Sequence, residues 1–210
     1  MSLFRPLLPD AVLLAEADPR PFTIDRLHPL EREEVARAVP KRQREYAAGR
    51  VMAAGLLKEL GAPHGPLRAG PDRAPIWPEG VVGSITHCVD RAAVAVARAD
   101  AVRGLGLDVE PAEPLPPGVA RAVVFPVDRL APEAGAAAGR LLFCAKEAFY
   151  KSIYPITRQF LDFHEVSVVC RAGGFVAELR VDAPPFRAGE RFQGQWRIDS
   201  GWIGAVVVLG

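Results

Sequence analysis

The sequence has few cysteines, and they are far apart. Cys88, Cys144 and Cys170 form no CxxC motif and no cluster with histidine. Closely spaced Cys and His ligands are typical of zinc sites, and an even set of cysteines is typical of the disulfide frameworks of small secreted proteins. The cysteines therefore indicate neither a zinc site nor a disulfide framework.

The chain also lacks a hydrophobic run long enough to cross a membrane. The longest apolar stretch is GWIGAVVVLG at the C-terminus, half the length of the ~20 residues that a membrane-spanning helix needs. Near the N-terminus no basic segment precedes the short run AVLLA, and Pro6, Pro9 and Asp10 interrupt its surroundings, unlike a signal peptide. These features predict a soluble cytoplasmic protein that does not bind a membrane.

Neither charge sign is in excess. The 210 residues include 26 basic and 25 acidic side chains, for a formal net charge of +1. Proteins that coat nucleic acid usually carry a marked basic excess, so nucleic acid is not an expected partner. Half of the residues are hydrophobic and 24% are charged, as in ordinary globular proteins.

Lysine is scarce, whereas glycine and proline are abundant. The 19 glycines and 20 prolines are frequent in GAPHGPLRAGPDRAPIWPEG and AEPLPPG, which we expect to form ordered irregular loops.

Most of the basic residues are arginines. An arginine-rich composition by itself is compatible with a GC-rich genome, so the positions of the lysines are more informative. The lysines of the chain are Lys41, Lys58, Lys146 and Lys151.

The order of predicted elements is similar in the two halves of the chain. In the first half, the short helix HPLEREEVARAV precedes a long helix that begins near Pro40 and ends at Gly61. The strands VVGSITH and AAVAVARAD then form a hairpin. In the second half, a helix centred on Gly139–Lys151 precedes a strand pair across Gly173 and the hairpin RFQGQWRIDSGWIGAVVVL.

This repetition predicts an α+β fold with two similar subdomains, residues 1–104 and 105–210. Each subdomain is expected to pack a small antiparallel sheet on a long helix. We expect the two to be related by a pseudo-twofold axis. Because ligands often bind between subdomains, the active site is expected in the cleft between them.

Two acidic residues, Asp108 and Glu110, lie at the end of the predicted strand VRGLGLDVEP. Residues i and i+2 of a strand share a face, with Cα atoms about 6.6 Å apart, so both carboxylates can turn to one cation. Gly104 and Gly106 permit close backbone approach, and Pro111 ends the strand. The pair suits Mg²⁺, which keeps waters and takes phosphate ligands; the alternative is two solvated acids at an exposed strand edge.

The segment FCAKEAFYK predicts a helix that is apolar over most of its circumference. Glu147 and Lys151 are four residues apart and share a face, which on an exposed helix is an ordinary surface ion pair. On a largely buried helix, however, such charges need partners. Because half of the lysines flank Glu147, we expect this glutamate to be a third metal carboxylate, with Lys146 and Lys151 as phosphate-binding groups.

Several polar residues of the first half are candidates for binding phosphate. Arg42 and Arg50 are eight residues apart on the predicted helix and point roughly the same way, and an arginine can bind phosphate with two donors. For Arg44, an arginine that is simply exposed to solvent is an equally good interpretation. Ser84 and His87 lie on one strand without a GxSxG motif, which argues against a Ser–His hydrolase, and His87 is expected to contact phosphate. The histidines expected to be structural or surface residues are His28, His64 and His164.

The chain resembles the 4′-phosphopantetheinyl transferases of the siderophore and secondary-metabolism type, the group of the enterobactin synthetase component D proteins. By motif the resemblance covers residues 28–165. Many members outside this group have Trp at the position of Phe143 and Ser at that of Cys144 or Ala148, so the resemblance is to a subgroup of the family. The segments that carry the resemblance, in order, are KRQREYAAGR, RAPIWPEGVVGSITHC, GLGLDVEP and FCAKEAFYKSIYPITRQFLDF.

The resemblance implies transfer of the 4′-phosphopantetheine arm of coenzyme A to a serine of an apo acyl, aryl or peptidyl carrier protein, with release of adenosine 3′,5′-bisphosphate. It implies a site for Mg²⁺, or alternatively Mn²⁺, formed by Asp108, Glu110 and Glu147. Glu147 is also the expected general base, and Lys146 and Lys151 would neutralise the pyrophosphate. The expected ligands of the adenosine and 3′-phosphate end are Arg42, Arg50, Ser84, His87 and either Arg68 or Arg73.

The resemblance also assigns a role to each subdomain. The N-terminal one would bind the adenosine end of coenzyme A, and the C-terminal one would carry the metal ligands, the catalytic helix and the docking surface for the carrier. We expect that surface in SIYPITRQFL, which includes Arg158 and Phe160. The expected carriers belong to fatty-acid, polyketide or nonribosomal-peptide synthases, including those of siderophores, and the enzyme is expected to be a monomer.

Two other functions use similar residues. A metal-dependent nuclease also needs two or three carboxylates and a lysine, but it typically carries them as ExK on a strand and binds a phosphate backbone with a basic excess. Here Lys146 precedes Glu147 on a helix. A non-catalytic coenzyme A-binding module would use Glu147 only as an ion-pair partner. Modification of a carrier protein distinguishes a transferase from a nuclease and from a coenzyme A-binding module.

Overall fold

The computed structural model describes residues 1–63 and 65–210, which form two compact units. One unit consists of residues 9–102, and the other of Met1–Leu8 together with Arg103–Gly210. The division lies close to the expected boundary after residue 104, but Met1–Leu8, which we expected in the N-terminal subdomain, belong to the C-terminal unit. His64, expected to be structural or at the surface, lies outside the described residues.

In the unit of residues 9–102, a 20-residue helix packs on a small antiparallel sheet. The long helix begins at Pro40, as predicted, and is followed by Gly61 with φ +65°, a left-handed conformation that suits glycine after a helix. The elements are β1 (Leu13–Ala17), α1 (Pro29–Val35), α2 (Pro40–Glu59), β2 (Val81–Cys88) and β3 (Arg91–Arg98). The sheet has the order β1–β3–β2, and the predicted β2–β3 hairpin is confirmed.

In the other unit, a second 20-residue helix packs on a five-stranded antiparallel sheet. Phe149 and Ile153 of this helix are completely buried in the core. The predicted strands are confirmed. The elements are β4 (Gly104–Pro111), α3 (Pro117–Val123), α4 (Ala138–Thr157), β5 (Val166–Arg171), β6 (Gly174–Leu179), β7 (Arg191–Asp199) and β8 (Trp202–Leu209). The sheet has the order β4–β8–β7–β6–β5, and α3 is a short helix in a stretch where none was predicted.

The first residues of the chain belong to this second unit because they bury apolar side chains there. Leu3 and Phe4 are almost completely buried. Both lie directly over Gly204 of β8, where a Cβ would stand 2.9 Å from Leu3 Cγ and 3.1 Å from Phe4 Cε1. The absence of a side chain at Gly204 therefore makes room for the N-terminal segment on this strand.

The predicted α+β class with two subdomains is confirmed, since each unit combines an antiparallel sheet with one long helix. The pseudo-twofold relation and the cleft stay predictions. Of the helices in residues 1–63 and 65–210, none is both long and apolar enough to cross a membrane.

Candidate active site

Two glycines allow β4 to lie directly against the backbone of α4. A Cβ at Gly106 would stand 1.9 Å from the carbonyl oxygen of Ala148, and a Cβ at Gly104 would stand 2.5 Å from that of Ser152. Any larger residue would force strand and helix apart. The close contact places the acidic end of β4 beside α4.

An ion pair joins α4 to this acidic end. Lys151 Nζ donates a hydrogen bond to Asp108 Oδ1 over 2.7 Å, and Asp108 is buried. Burial opposes the charged form of Lys151, but the charge and hydrogen bond of Asp108, together with the charge of Glu147, outweigh it and raise the pKa of Lys151. Lys151 is therefore a cation at neutral pH, held next to the carboxylates.

The two other predicted metal ligands, Glu110 and Glu147, are half-buried near the same pair. Burial is the main cause that raises the pKa of Glu147; the charges of Asp108 and Glu110 raise it too, against the opposing charge of Lys151. Burial and the charge of Asp108 likewise raise the pKa of Glu110, although Arg140 and Lys151 oppose this. The structure thus brings Asp108, Glu110, Glu147 and Lys151 together.

The chemistry of these side chains fits Mg²⁺. Mg²⁺ prefers oxygen ligands, usually one or two carboxylates with waters and phosphate oxygens. A divalent cation would also offset the repulsion between the carboxylates of Asp108, Glu110 and Glu147. Across residues 1–63 and 65–210, no three His, Cys, Asp or Glu side chains already stand in a metal-binding arrangement, so the metal site stays a prediction.

Arg140 of α4 contacts the same acidic end and was not singled out from the sequence. Its Nη1 donates to Glu110 Oε2 over 2.9 Å. Its Nη2 donates to the carbonyl oxygen of Pro114 over 3.1 Å, and its Nε to that of Glu113 over 3.4 Å. A sequence signal does exist, because Arg140 lies seven residues before Glu147 and therefore on the same side of the helix.

Lys146, predicted to bind pyrophosphate, is directed into the protein interior. It is 2% exposed, and its Nζ donates to Asp128 Oδ2 over 2.8 Å. The same Nζ donates to the carbonyl oxygens of Val123 and Phe163 over 3.0 and 2.9 Å. These three bonds use all three protons of an ammonium group. The structure therefore does not bring Lys146 together with Lys151 and the carboxylates.

Asp128, the partner of Lys146, is itself held by two backbone groups. Its Oδ1 accepts from the N–H of Val168 over 2.8 Å, and its Oδ2 accepts from that of Phe125 over 2.9 Å. Burial lowers the pKa of Lys146, while the hydrogen bond and charge of Asp128 oppose this. The pair connects α4, one residue before Glu147, to β5 and to the chain that follows α3.

In the unit of residues 9–102, α2 and β2 bring two predicted phosphate ligands together. Arg42 Nη1 lies 2.7 Å from His87 Nε2, and His87 Nδ1 lies 3.4 Å from Glu45 Oε2. Because a guanidinium group only donates, His87 Nε2 accepts in this contact. A neutral His87 ring then carries its proton on Nδ1, facing Glu45, a partner that the sequence did not reveal.

Arg50 is also buried in this unit, with an exposed fraction of 6%. Its guanidinium lies over the ring of Tyr46, 4.3 Å from the ring centroid. Within the described part of the chain, Arg50 Nε has no hydrogen-bond partner. A buried guanidinium with a donor to spare is suited to bind an anion.

Glu34 connects Tyr46 to a further candidate, Arg68. Tyr46 Oη donates to Glu34 Oε2 over 2.6 Å, and Arg68 Nε donates to Glu34 Oε1 over 3.0 Å. Burial and the bond to Glu34 raise the pKa of Tyr46 to about 12. Arg68 therefore shares a hydrogen-bonded chain with Tyr46, the residue over which Arg50 lies.

Two more predicted phosphate ligands and two histidines remain. Ser84 is buried on β2 opposite Ala95, and Arg73 is exposed with φ +66°. His28 Nδ1 accepts from the N–H of Leu30 at the start of α1, and the His164 side chain is 60% exposed. His28 and His164 are thus a structural and a surface residue, as expected.

Two family models match successive parts of the chain. Residues 30–97 match the 4′-phosphopantetheinyl transferase N-terminal domain. Residues 104–207 match the 4′-phosphopantetheinyl transferase superfamily. The first match lies within the unit that holds Arg42 and His87, and the second lies within the unit that holds the three carboxylates.

Individual proteins resemble the chain over most of its length. The 4′-phosphopantetheinyl transferase Svp of Streptomyces mobaraensis is 43% identical over 89% of this chain and 80% of its own. The 4′-phosphopantetheinyl transferase PptT of Mycobacterium tuberculosis is 36% identical over 86% of this chain and 85% of its own. The enterobactin synthase component D of Salmonella typhimurium is 39% identical over a shorter region, 33% of this chain and 28% of its own.

Proposed function

Because the chain belongs to the 4′-phosphopantetheinyl transferase superfamily and transfers phosphopantetheine to carrier proteins, we propose that it takes this arm from coenzyme A in a Mg²⁺-dependent reaction. The products are a phosphopantetheinylated serine and adenosine 3′,5′-bisphosphate. The observation that supports this most directly is the group of three carboxylates beside the Lys151 ammonium.

The transfer exchanges one phosphorus–oxygen bond for another. The serine Oγ of the carrier forms a bond to the β-phosphorus of coenzyme A, and the bond from that phosphorus to the bridging oxygen breaks. The electron pair leaves with adenosine 3′,5′-bisphosphate, and the serine proton passes to Glu147, by direct contact or through a water molecule. Glu147 lies beside the other proposed metal ligands on a rigid helix, which supports its role as the proton acceptor.

Phosphoryl transfer of this kind depends mainly on positioning and on neutralising phosphate charge. Mg²⁺ held by Asp108, Glu110 and Glu147 would supply part of that neutralisation. Lys151 contributes a fixed positive charge because Asp108 holds its ammonium in place. We assign the pyrophosphate contact to Lys151 alone, since Lys146 is bound to Asp128.

The unit of residues 9–102 supplies cations and donors for the 3′-phosphate and adenosine end. Arg50 is buried with a spare donor, and Arg42 already contacts His87. A dianionic phosphate that replaced this contact would meet the donors of Arg42, and His87 would donate to it once Nε2 takes up a proton. Further ligands are proposed to be Ser84 and either Arg68 or Arg73.

The carrier is proposed to dock on residues 152–161, which form the end of α4 and the chain that follows it. Phe160 is 74% exposed and lies against Tyr150, with 6.0 Å between the ring centroids. Ile153, which lies in the same segment, is completely buried and belongs to the core. Arg158→Ala should raise the KM for the carrier and leave that for coenzyme A unchanged; an unchanged carrier KM contradicts this surface.

The names of the relatives direct the choice of carriers for the test. One is an enterobactin synthase component, which favours carriers of siderophore and other secondary-metabolite synthases. Purified protein, coenzyme A and Mg²⁺ are mixed with each of several apo-carriers from peptide, polyketide and fatty-acid synthases, and each carrier is weighed by mass spectrometry. We expect a mass gain of one phosphopantetheine arm on the secondary-metabolism carriers, abolished by EDTA and restored by Mg²⁺.

A pair of variants tests the base. Glu147→Gln keeps the shape of the side chain but cannot accept the proton, so the mass gain should be lost. Glu133→Gln, an exposed glutamate of the same unit, should behave like the original protein. No gain on any carrier contradicts the proposed function, whereas a normal gain with Glu147→Gln contradicts only the role of this residue.

A further inference from the structure

We infer that Arg140 is a positioning residue that orients the Glu110 carboxylate for a divalent cation. The inference rests on the proposed metal site. Arg140 takes no part in the bond changes and would not touch coenzyme A; it acts through the ligand that it holds.

The first observation is the fork that Arg140 makes around one short stretch of chain. One guanidinium group contacts the side chain of Glu110 and two carbonyl oxygens, those of Glu113 and Pro114. Because the guanidinium is planar and rigid, these contacts orient the carboxylate and the turn after β4 together. An arginine with one of these contacts alone would leave the carboxylate free to rotate.

The second observation is the burial of the pair. The side chains of Arg140 and Glu110 are each 17% exposed. At this exposure an ion pair is screened less by solvent than a surface pair, so it restricts the carboxylate more. The anchoring residue also sits on the rigid helix that carries Glu147.

The third observation is which atom of Glu110 is used. Arg140 binds Oε2, and a carboxylate held in this way can offer Oε1 to a cation. Hydrogen-bonding partners that hold a ligating group commonly determine its orientation, and their loss costs roughly 10–100-fold in metal affinity or activity. The same magnitude is expected for Arg140.

If Arg140 opposed metal binding, its removal would change the metal affinity in the opposite direction. If the guanidinium merely occupied the place of the cation, its removal would free Glu110 and strengthen metal binding. If it orients Glu110, removal weakens metal binding. Metal affinity therefore separates the two roles by the direction of the change.

The experiment measures the binding of Mn²⁺ to the full chain by electron paramagnetic resonance, without carrier protein, with and without coenzyme A. Arg140→Gln should raise the Kd for Mn²⁺ by roughly 10–100-fold, and Arg140→Lys, which keeps the charge but not the fork, should recover part of it. Arg129→Gln is the matched control, because Arg129 donates to the backbone oxygens of Pro126 and Asp128 and, among the residues that the structure describes, to no carboxylate. Its Kd should match that of the original protein.

A double-mutant cycle excludes a general loss of structure. In a Glu110→Gln background, Arg140→Gln should change the Kd by less than about twofold, because the residue it orients is no longer a carboxylate. An equal loss in both backgrounds, an unchanged Kd or a lower Kd for Arg140→Gln overturns the inference, as does a lack of Mn²⁺ binding by the original protein. Carrier modification is scored in the separate mass assay, so failure of the proposed function is distinguishable from failure of this inference.

Discussion

Lys151 and Asp108 form an ion pair between α4 and β4, with 2.7 Å between Nζ and Oδ1, although 43 residues separate them in sequence. The pair keeps an ammonium group beside two further carboxylates, Glu110 and Glu147. It leaves the charge of Lys151 in place at neutral pH, since its pKa is raised.

Lys151→Met should lower kcat for phosphopantetheine transfer by roughly 10²–10³-fold, the usual cost of removing one group that stabilises transition-state charge. The KM for the carrier should change little, because the lost charge faces the phosphates. Lys58→Met, at an exposed lysine in the last turn of α2, is the control and should retain full kcat. Steady-state kinetics that follow formation of the modified carrier measure kcat. A kcat for Lys151→Met within twofold of that of the original protein is inconsistent with the proposed role of Lys151.

Lys146→Met should act on stability rather than on the chemical step. It leaves the buried carboxylate of Asp128 without its ion-pair partner, a change that costs about 3–5 kcal/mol. For a chain of this size, that lowers the Tm by roughly 6–20 °C. Circular dichroism melts measure the loss.

Lys41→Met is the control for this change, because Lys41 is 65% exposed and should leave the Tm unaltered. At a temperature where the Lys146→Met protein remains folded, its KM for coenzyme A should equal that of the original protein. An unchanged Tm with a raised KM for coenzyme A would instead support the pyrophosphate contact predicted from the sequence.

Gly106→Ala should disrupt the contact between β4 and α4. Its Cβ would stand 1.9 Å from the carbonyl oxygen of Ala148, so the strand must move, at a cost of roughly 1–3 kcal/mol or more. The movement would separate Asp108 from Lys151 and lower kcat as well. In Gly118→Ala of α3, the new Cβ meets no atom of the described residues within 4 Å, so this change should be neutral or slightly stabilising. Equal melting curves and equal kcat for the two variants would contradict this account of the glycine.

The stability contributed by Glu34 should depend on pH. Burial raises its pKa, but hydrogen bonds from Tyr46, Arg68 and the N–H of Ala69 outweigh burial, and the pKa lies below its usual value of 4.5. A carboxylate with a lowered pKa contributes stability above its unfolded pKa, and this is lost as the pH falls through the folded pKa.

Glu34→Gln should therefore lower the Tm at pH 7 by about 2–4 °C, as expected for one weakened hydrogen-bond network. The difference from the original protein should shrink as the pH falls below 4.5, the usual pKa. Melts at a series of pH values measure it, with Glu33→Gln, an exposed neighbour on the same helix, as the control. A difference that stays constant between pH 7 and pH 3 would rule out the carboxylate as its source.

Local periodicity predicted much of the candidate site. The i, i+2 spacing of Asp108 and Glu110 places both on one side of a strand, and the i, i+4 spacing of Glu147 and Lys151 places both on one side of a helix. Lys146 lies about 100° around the same helix from Glu147. That angle directs Lys146 into the core, which its position beside Glu147 in sequence did not indicate.

The sequence analysis did not predict strand β1, because the residues of this strand favour a helix. The segment LLAEA of β1 has strong helix formers. It is a strand because β3 supplies the pairing partner, with Leu13 opposite Val96 and Ala17 opposite Ala92. Strand propensity depends on such neighbours more than on the segment itself.

The sequence by itself therefore determined the family, the α+β class, the long helices and the residues that share one side of a strand or helix. Only the tertiary structure decided which side chains from elsewhere in the sequence contact those residues. Arg140 reaches Glu110 across 30 residues, Asp128 reaches Lys146 across 18, and His87 reaches Arg42 across 45. The physical reason is that spacing along one element sets the direction of a side chain, whereas its partner is set by how separate elements pack.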